Sequence, residues 1–435
     1  MSMLSQLKDN IDEILQNVSG GVDNELVQQV KKAIQSEQTE LFTQLLRNEP
    51  DKLFSVLRKI SPILKTQNGY MITLFDDVQE ALTRNDVFTV APYAPKMDPS
   101  VGPYMLARDD TEINYRDKSI MRVVLRLNDL PKIRDMVKKY TNKALAESSG
   151  SIEVVSKISR GVPIRVTQDY FGFNAEEKDL FKWSYQTQAD MFHNLTNDEE
   201  THKQNIAAGT QMKEFLSGEI VKRRKAIKKD PSLDDSFSRL IKIVDGSSDS
   251  CDFDDESIIA NVMGLLVGGV ETTSQAIVQI LDQLIRVFPE KLEEAKGYAK
   301  SNDSEKFDAY VWEALRFNPI NPFVVRLSSQ DYVLAAGTPR ETKIPKGSVC
   351  LISTRSAMRD EKQIPDAESF KTERPNYHYM HLGFGAHECL GKYVGMVEIT
   401  EIVKQIILRD NIKVKQPIEF TDGSPFPEKY ILSFN

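Results

Sequence analysis

Apolar residues at the start of the chain recur every three or four positions, at Leu4, Leu7, Ile11, Ile14 and Leu15, with Lys8, Asp9, Asp12 and Glu13 between them. That period predicts an amphipathic helix, and further helical patterns follow it to about residue 60. The pattern then changes. Ile63-Leu64-Lys65-Thr66 and Tyr70-Met71-Ile72-Thr73-Leu74-Phe75 flank Asn68-Gly69, which predicts two short strands joined by a type I′ turn. Long helical segments then alternate with a few short strands. Asn174, Glu176 and Glu177 open one helix, and Glu199 to Lys229 supplies another. The longest helical stretch runs from about Asp254 to Val287 and is stopped by Phe288-Pro289. Asp254 suits the N-cap, and Asp255 and Glu256 suit the positive end of the helix dipole. At about 1.5 Å per residue this helix spans roughly 50 Å, enough to cross a domain. Ile258, Ile259, Val262, Leu265 and Leu266 make it apolar on more than one side, as a buried helix requires. Neither an internal repeat nor a linker interrupts the pattern. The expected fold is therefore mainly α with a small β-rich lobe, a single domain over residues 1–435 with residues 1–62 as a helical lead-in.

Composition fits a folded enzyme, with 40% hydrophobic and 28% charged residues in 435. The net charge of −8 gives no footing for nucleic acid. Cys251, Cys350 and Cys389 are too widely spaced for a disulfide framework or a metal cluster. Cys350 falls in the apolar run Val349 to Ile352 and reads as core; Cys251 lies in an acidic loop. The first helix falls far short of the ~20 apolar residues of a membrane span, and its acidic residues argue against surface binding. No signal-peptide pattern is visible. The expectation is a soluble cytoplasmic protein with no membrane span.

Three motifs carry candidate chemistry. Gly383-Phe384-Gly385-Ala386-His387-Glu388-Cys389-Leu390-Gly391 sets a cysteine in a glycine-rich loop ahead of a helix. Glycines let backbone approach a flat group, and helix-start N–H groups favour an anionic sulfur. The alternative for such a residue is a buried, inert thiol. Gly268-Gly269-Val270-Glu271-Thr272-Thr273 stands in the middle of the long helix. Two interior glycines cost of order 1 kcal/mol each, which predicts a close approach there; the alternative is a packing notch followed by a threonine bonding back to a carbonyl. Glu313-Ala314-Leu315-Arg316 places opposite charges on one helix face, a solvated pair unless its neighbourhood is buried.

With these motifs the sequence resembles the cytochrome P-450 family of haem-thiolate monooxygenases, from roughly Asn68 to the C-terminus. The family's cysteine motif, Phe-x-x-Gly-x-His/Arg-x-Cys-x-Gly, is matched by Gly385, His387, Cys389 and Gly391, with Leu382 standing where the family has phenylalanine. The resemblance implies the cytochrome P-450 fold and haem b (iron protoporphyrin IX), with Cys389 as axial ligand of the iron. It also implies that Glu271 and Thr272 are the acid and alcohol that organise water and proton delivery to dioxygen. Glu313, Arg316 and Arg374 become a structural charge triad that fixes the cysteine loop. Arg326 and His387 become partners of the haem propionates, joined by Asn114 and Lys118 where many bacterial relatives have histidine and arginine, with Arg116 as a substitute. Gly264, Val267, Phe323, Val324 and Phe426 occupy pocket positions, and the helices near 176 and 199–229 form a lid.

The implied activity is insertion of one atom of O2 into an apolar small molecule. The chain has neither Gly-x-Gly-x-x-Gly nor four clustered cysteines, and the electrons are therefore expected from a ferredoxin or flavodoxin with an NAD(P)H-dependent reductase. Lys118, Arg122 and Arg126 recur every fourth position, either as a docking stripe for an acidic partner or as a solvated face. Two other functions compete: a hydroperoxide isomerase or peroxygenase that needs no reductant, and a non-catalytic haem-binding sensor or carrier. Neither needs the acid and alcohol at Glu271 and Thr272.

Overall fold

The structure is a computed structural model that describes residues 28, 30, 39–66, 69–246, 252–301, 303–421 and 425–435. The helix expected at Leu4–Leu15 and Cys251 lie outside the described residues. The chain divides into two compact units: Met1–Thr89, Asn321–Phe370 and Pro375–Ala386 form the first, and Val90–Ile320, Lys371–Arg374 and His387–Asn435 the second.

The first unit holds a five-stranded sheet, in the order Ile63–Thr66, Gly69–Ile72, Val349–Ile352, Val324–Ser328 and Phe88–Thr89. Gly69–Ile72 and Val349–Ile352 run parallel and the other pairs antiparallel. Alternation along the strands feeds two cores. Leu64 and Met71 pack with Leu53, Phe54 and Leu57 of the helix Pro50–Ile60. Ile63, Tyr70, Ile72, Cys350 and Ile352 point the other way, onto Phe75, Val78 and Leu82 of the helix Phe75–Thr83. Burial there pushes the Cys350 thiol up to about 12. Gly69, expected in the turn, is instead a strand residue that pairs with Thr66. A Cβ there would stand 2.0 Å from the Val349 carbonyl oxygen, and this crowding is what requires glycine.

The second unit is mostly helical, with one antiparallel sheet in which Pro427–Ser433 lies between Ser151–Glu153 and Lys413–Phe420. The helices Glu177–Gln188 and Glu199–Lys229 pack against each other. The helix expected from Asp254 starts as its cap predicts, the Asp254 carboxylate accepting the Ser257 N–H at 2.8 Å. It is not continuous. Asp255–Gly269 is α-helical, the backbone breaks at Val270, Glu271–Asp282 resumes, and Gln283–Val287 closes as a π-turn. The whole stretch is long and apolar enough to cross a membrane, but most of its apolar window is buried inside the protein.

The helix Lys392–Ile407 packs on Leu130–Ala146 and on Glu271–Asp282. It carries Glu398 into the interior, where Oε1 has no hydrogen-bond partner and burial pushes the carboxyl up to about 8. A folded value above the unfolded 4.5 means that the native state keeps a proton the unfolded chain has released. Stability should therefore fall as pH rises from 4.5 to about 8, by at most about 1.4 kcal/mol per unit. Glu398→Gln should remove that slope; parallel melting-temperature profiles for the two proteins would contradict it.

Candidate active site

The cysteine loop begins in the first unit. Gly383 and Gly385 have φ of +79° and +72°, and a Cβ on Gly385 would meet the Leu82 carbonyl oxygen at 2.6 Å. Glycine is required there by the turn as well as by the close approach. In the second unit the loop continues through His387 to Cys389, and the helix Lys392–Ile407 follows. The Cys389 thiol has accessible surface, yet protein atoms surround it closely enough for burial to push it above the usual thiol range. Both observations hold if the sulfur lines an internal space instead of the outer surface. The Gly391 N–H bonds to the sulfur and opposes the shift, and a coordinated metal would deprotonate such a thiol outright.

Elsewhere in the second unit, the broken helix also carries a stretch with accessible surface. From Thr273 through Leu284 every residue is buried, and from Val397 through Val403 likewise on the packed partner. Ahead of those stretches Gly268, Thr272, Cys389 and Tyr393 all keep accessible surface. A Cβ on Gly268 or Gly269 would meet nothing within 4 Å. Among the described residues, no protein atom makes the close approach expected at this glycine pair. The packing notch lies one turn earlier: a Cβ on Gly264 would stand 2.3 Å from the Tyr104 ring. Gly264, expected in the pocket, is instead covered by Tyr104, whose phenol burial and the Cys389 sulfur both raise. Val267 is buried.

Thr272 does bond back, its Oγ1 donating to the Gly268 carbonyl. Glu271 is wholly buried and paired with Arg160, a residue the sequence reading missed. Arg160 Nε and Nη2 donate to Glu271 Oε2 at 3.1 and 3.0 Å, and Nη1 and Nη2 each reach Glu428 at 3.4 Å. The Arg160 side chain is 7% exposed, Glu271 0% and Glu428 43%. Burial raises the Glu271 carboxyl to about 7, against the pull of Arg160. One guanidinium shared between two carboxylates cannot fully stabilise both as anions, and the buried one keeps its proton more readily. The Ser159 and Ser274 hydroxyls share a 2.8 Å hydrogen bond beside this pair. Nothing local marks Arg160, which precedes an ordinary helix 111 residues before its partner.

The triad residues meet. Arg316 Nε and Nη2 donate to Glu313 at 2.9 and 2.8 Å, and Arg374 Nε and the Lys371 N–H donate at 3.1 and 2.9 Å. His387 Nε2 lies 3.1 Å from Asp109, whose carboxylate also accepts the Val90 N–H. Asn114 is otherwise engaged: its amide donates to the carbonyls of Met105 and Arg108 at 3.0 and 2.7 Å, which makes it a helix-start brace and not a free donor for an anion. Arg116, the substitute, bonds Asp117 and the Asp252 carbonyl. Lys118 is half-buried, and burial lowers its ammonium. The basic stripe is interrupted, because the helix ends at Val124 and Arg126 pairs with Asp234 at 2.9 Å. Arg326 is buried in the first unit and donates to the Val325 carbonyl; Phe323 and Val324 belong to the same unit, Val324 packed on its core. Phe426, in the second unit, is buried with its ring centroid 4.8 Å from Tyr185 and 5.0 Å from His193.

Comparison with known proteins identifies the family. Residues 132–427 match the model of the family described as Cytochrome P450. A Bacillus subtilis (strain 168) protein described as Cytochrome P450 is 25% identical over 365 residues, covering 80% of this chain and 82% of the relative. A steroid C26-monooxygenase from Mycolicibacterium smegmatis is 25% identical over 383 residues, covering 85% and 86%. The crystal structure of CYP109E1 from Bacillus megaterium in complex with testosterone superposes with a TM-score of 0.75 at 21% identity, over 89% of this chain and 98% of that one. The chain belongs to the cytochrome P450 family. It is a haem-dependent monooxygenase with the P450 fold, and its cofactor is haem b. An enclosed but accessible thiol and a glycine pair that no described protein atom approaches closely suit a bulky thiolate-ligated group.

Proposed function

We propose that this enzyme inserts one atom of O2 into an apolar organic substrate, using electrons from a separate ferredoxin or flavodoxin and its NAD(P)H-dependent reductase, in the cytoplasm. The observation that carries the reading is the helix break, where Thr272 stands at an open face and Glu271 is held directly behind it. When bound, haem b supplies the iron at which dioxygen is activated, and Cys389 holds that iron. Thr272 would exchange its bond to the Gly268 carbonyl for one to a water by rotation of its side chain. Glu271, near neutrality in its proton affinity, takes and gives protons at its carboxylate, with Arg160 as the fixed countercharge. Arg326, His387 and Lys118 are the propionate partners this reading keeps. The steroid C26-monooxygenase among the relatives supports a bulky, largely apolar substrate.

Thr272→Ala tests the assignment. The variant is expected to bind haem and consume NAD(P)H while product formation falls on the order of a hundredfold, the usual contribution of a positioned proton-transfer group. Full NAD(P)H-coupled product yield would contradict it. Turnover of a lipid hydroperoxide without reductant, in either protein, would favour the isomerase.

A further inference from the structure

His193 ends the π-turn Ala189–His193 that follows the helix Glu177–Gln188. Its Nε2 is sealed from solvent with no hydrogen-bond partner, whereas Nδ1 keeps access, and among the described residues no protein group bonds either nitrogen. The ring meets Phe426 edge to face, with centroids 5.0 Å apart and planes at 85°. Phe426 in turn packs on Tyr185 at 4.8 Å, and the Tyr185 ring lies 5.9 Å from the Arg160 guanidinium that binds Glu271. An aromatic wall thus runs from the acid beside Thr272 to an imidazole with nothing to bond. Burying such a group unpaired costs about 1–3 kcal/mol, and native proteins rarely leave it so without a use.

We propose that His193 is a specificity-determining residue whose accessible imidazole nitrogen, Nδ1, hydrogen-bonds a neutral hydroxyl or carbonyl oxygen on an otherwise apolar substrate. This rests on the monooxygenase reading and narrows its substrate class. A neutral imidazole offers one donor and one acceptor, which suits a neutral oxygen of either kind. Burial holds the ring neutral, pulling its affinity for protons down to about 4. A carboxylate would have to draw a proton onto the ring against that burial, and a plain hydrocarbon would leave both nitrogens unpaired.

The test uses the haem-loaded enzyme and calorimetric titration, with the haem spin-state shift read in parallel. Probes are adamantane, decalin and androstane, each compared with its alcohol, its ketone and its carboxylic acid. On at least one skeleton, the wild-type enzyme is expected to bind the alcohol or ketone about tenfold more tightly than the hydrocarbon, the worth of one hydrogen bond. His193→Phe should bind the oxygenated compound and the hydrocarbon alike, and His193→Gln, which keeps a donor and an acceptor, should regain part of the preference. No oxygen preference on any skeleton, no binding at all, a preference for the acids, or a preference that survives His193→Phe would each overturn the proposal. A protein whose carbon monoxide complex lacks the thiolate-haem spectrum fails the monooxygenase reading itself. A wild-type protein with that spectrum but no oxygen preference, or one whose preference survives His193→Phe, fails only the role of His193.

Discussion

Glu313→Ala is expected to cost about 3–5 kcal/mol of stability in denaturant unfolding and to yield protein with less haem, because it removes the carboxylate that pairs with the buried guanidinium groups of Arg316 and Arg374. Glu313 and Arg316 have no accessible side-chain surface, so bulk solvent does not reach the pair to replace the lost carboxylate. The Lys371 N–H loses its acceptor as well, in the segment that precedes the cysteine loop in the chain. Burial alone would raise the Glu313 carboxyl, but Arg316, the Lys371 N–H and Arg374 outweigh it and hold it below its ordinary 4.5. A lowered carboxyl contributes in full above the unfolded value and loses its contribution as pH falls through the folded one. The two proteins should therefore differ most at neutral pH and converge in acid. A difference under about 1 kcal/mol at neutral pH would mean that the triad is worth no more than a surface pair.

Arg160→Leu is expected to destabilise by a similar about 3–5 kcal/mol at pH 8, with the loss shrinking toward pH 6. Glu428 is half in solvent and also accepts the Thr421 hydroxyl at 2.7 Å, and it can do without Arg160. Glu271 cannot, having no solvent contact. Its carboxyl already sits at about 7, above the unfolded 4.5, and stability falls with rising pH across that interval. Without Arg160 the folded value rises further and the penalty extends to higher pH. Adding Glu271→Gln to the leucine variant should recover most of the loss at pH 8, since no buried charge then remains. An equal loss at both pH values, or no recovery in the double variant, would contradict Glu271 as its source.

Much of this architecture could be read one residue type at a time. Asp254 caps its helix, Cys350 lies in a strand core, and the Glu313 motif forms a buried pair, each from signals within a few residues. Gly383 and Gly385 could be recognised for a similar reason, since the turn needs left-handed backbone where they stand. Other assignments failed where local chemistry was ambiguous. Asn114 looked like a ligand donor and instead braces the start of its helix. Gly264 looked like pocket floor and instead receives the Tyr104 ring. Arg126 continued a basic stripe on paper, but the helix ends before it.

By itself, then, the sequence determined the family and the helix-rich class, and it singled out the cysteine loop and the Glu271-Thr272 pair as candidates, because each depends on a periodic or contiguous pattern along the chain. Only the tertiary structure decided that Glu271 and Glu428 share the guanidinium of Arg160, that Asp109 meets His387, and that His193 packs on Phe426 without a hydrogen-bond partner among the described residues. Those pairings join segments far apart in the chain, and their partners are ordinary residues until folding strips them of water and leaves each with one neighbour to satisfy it, or none.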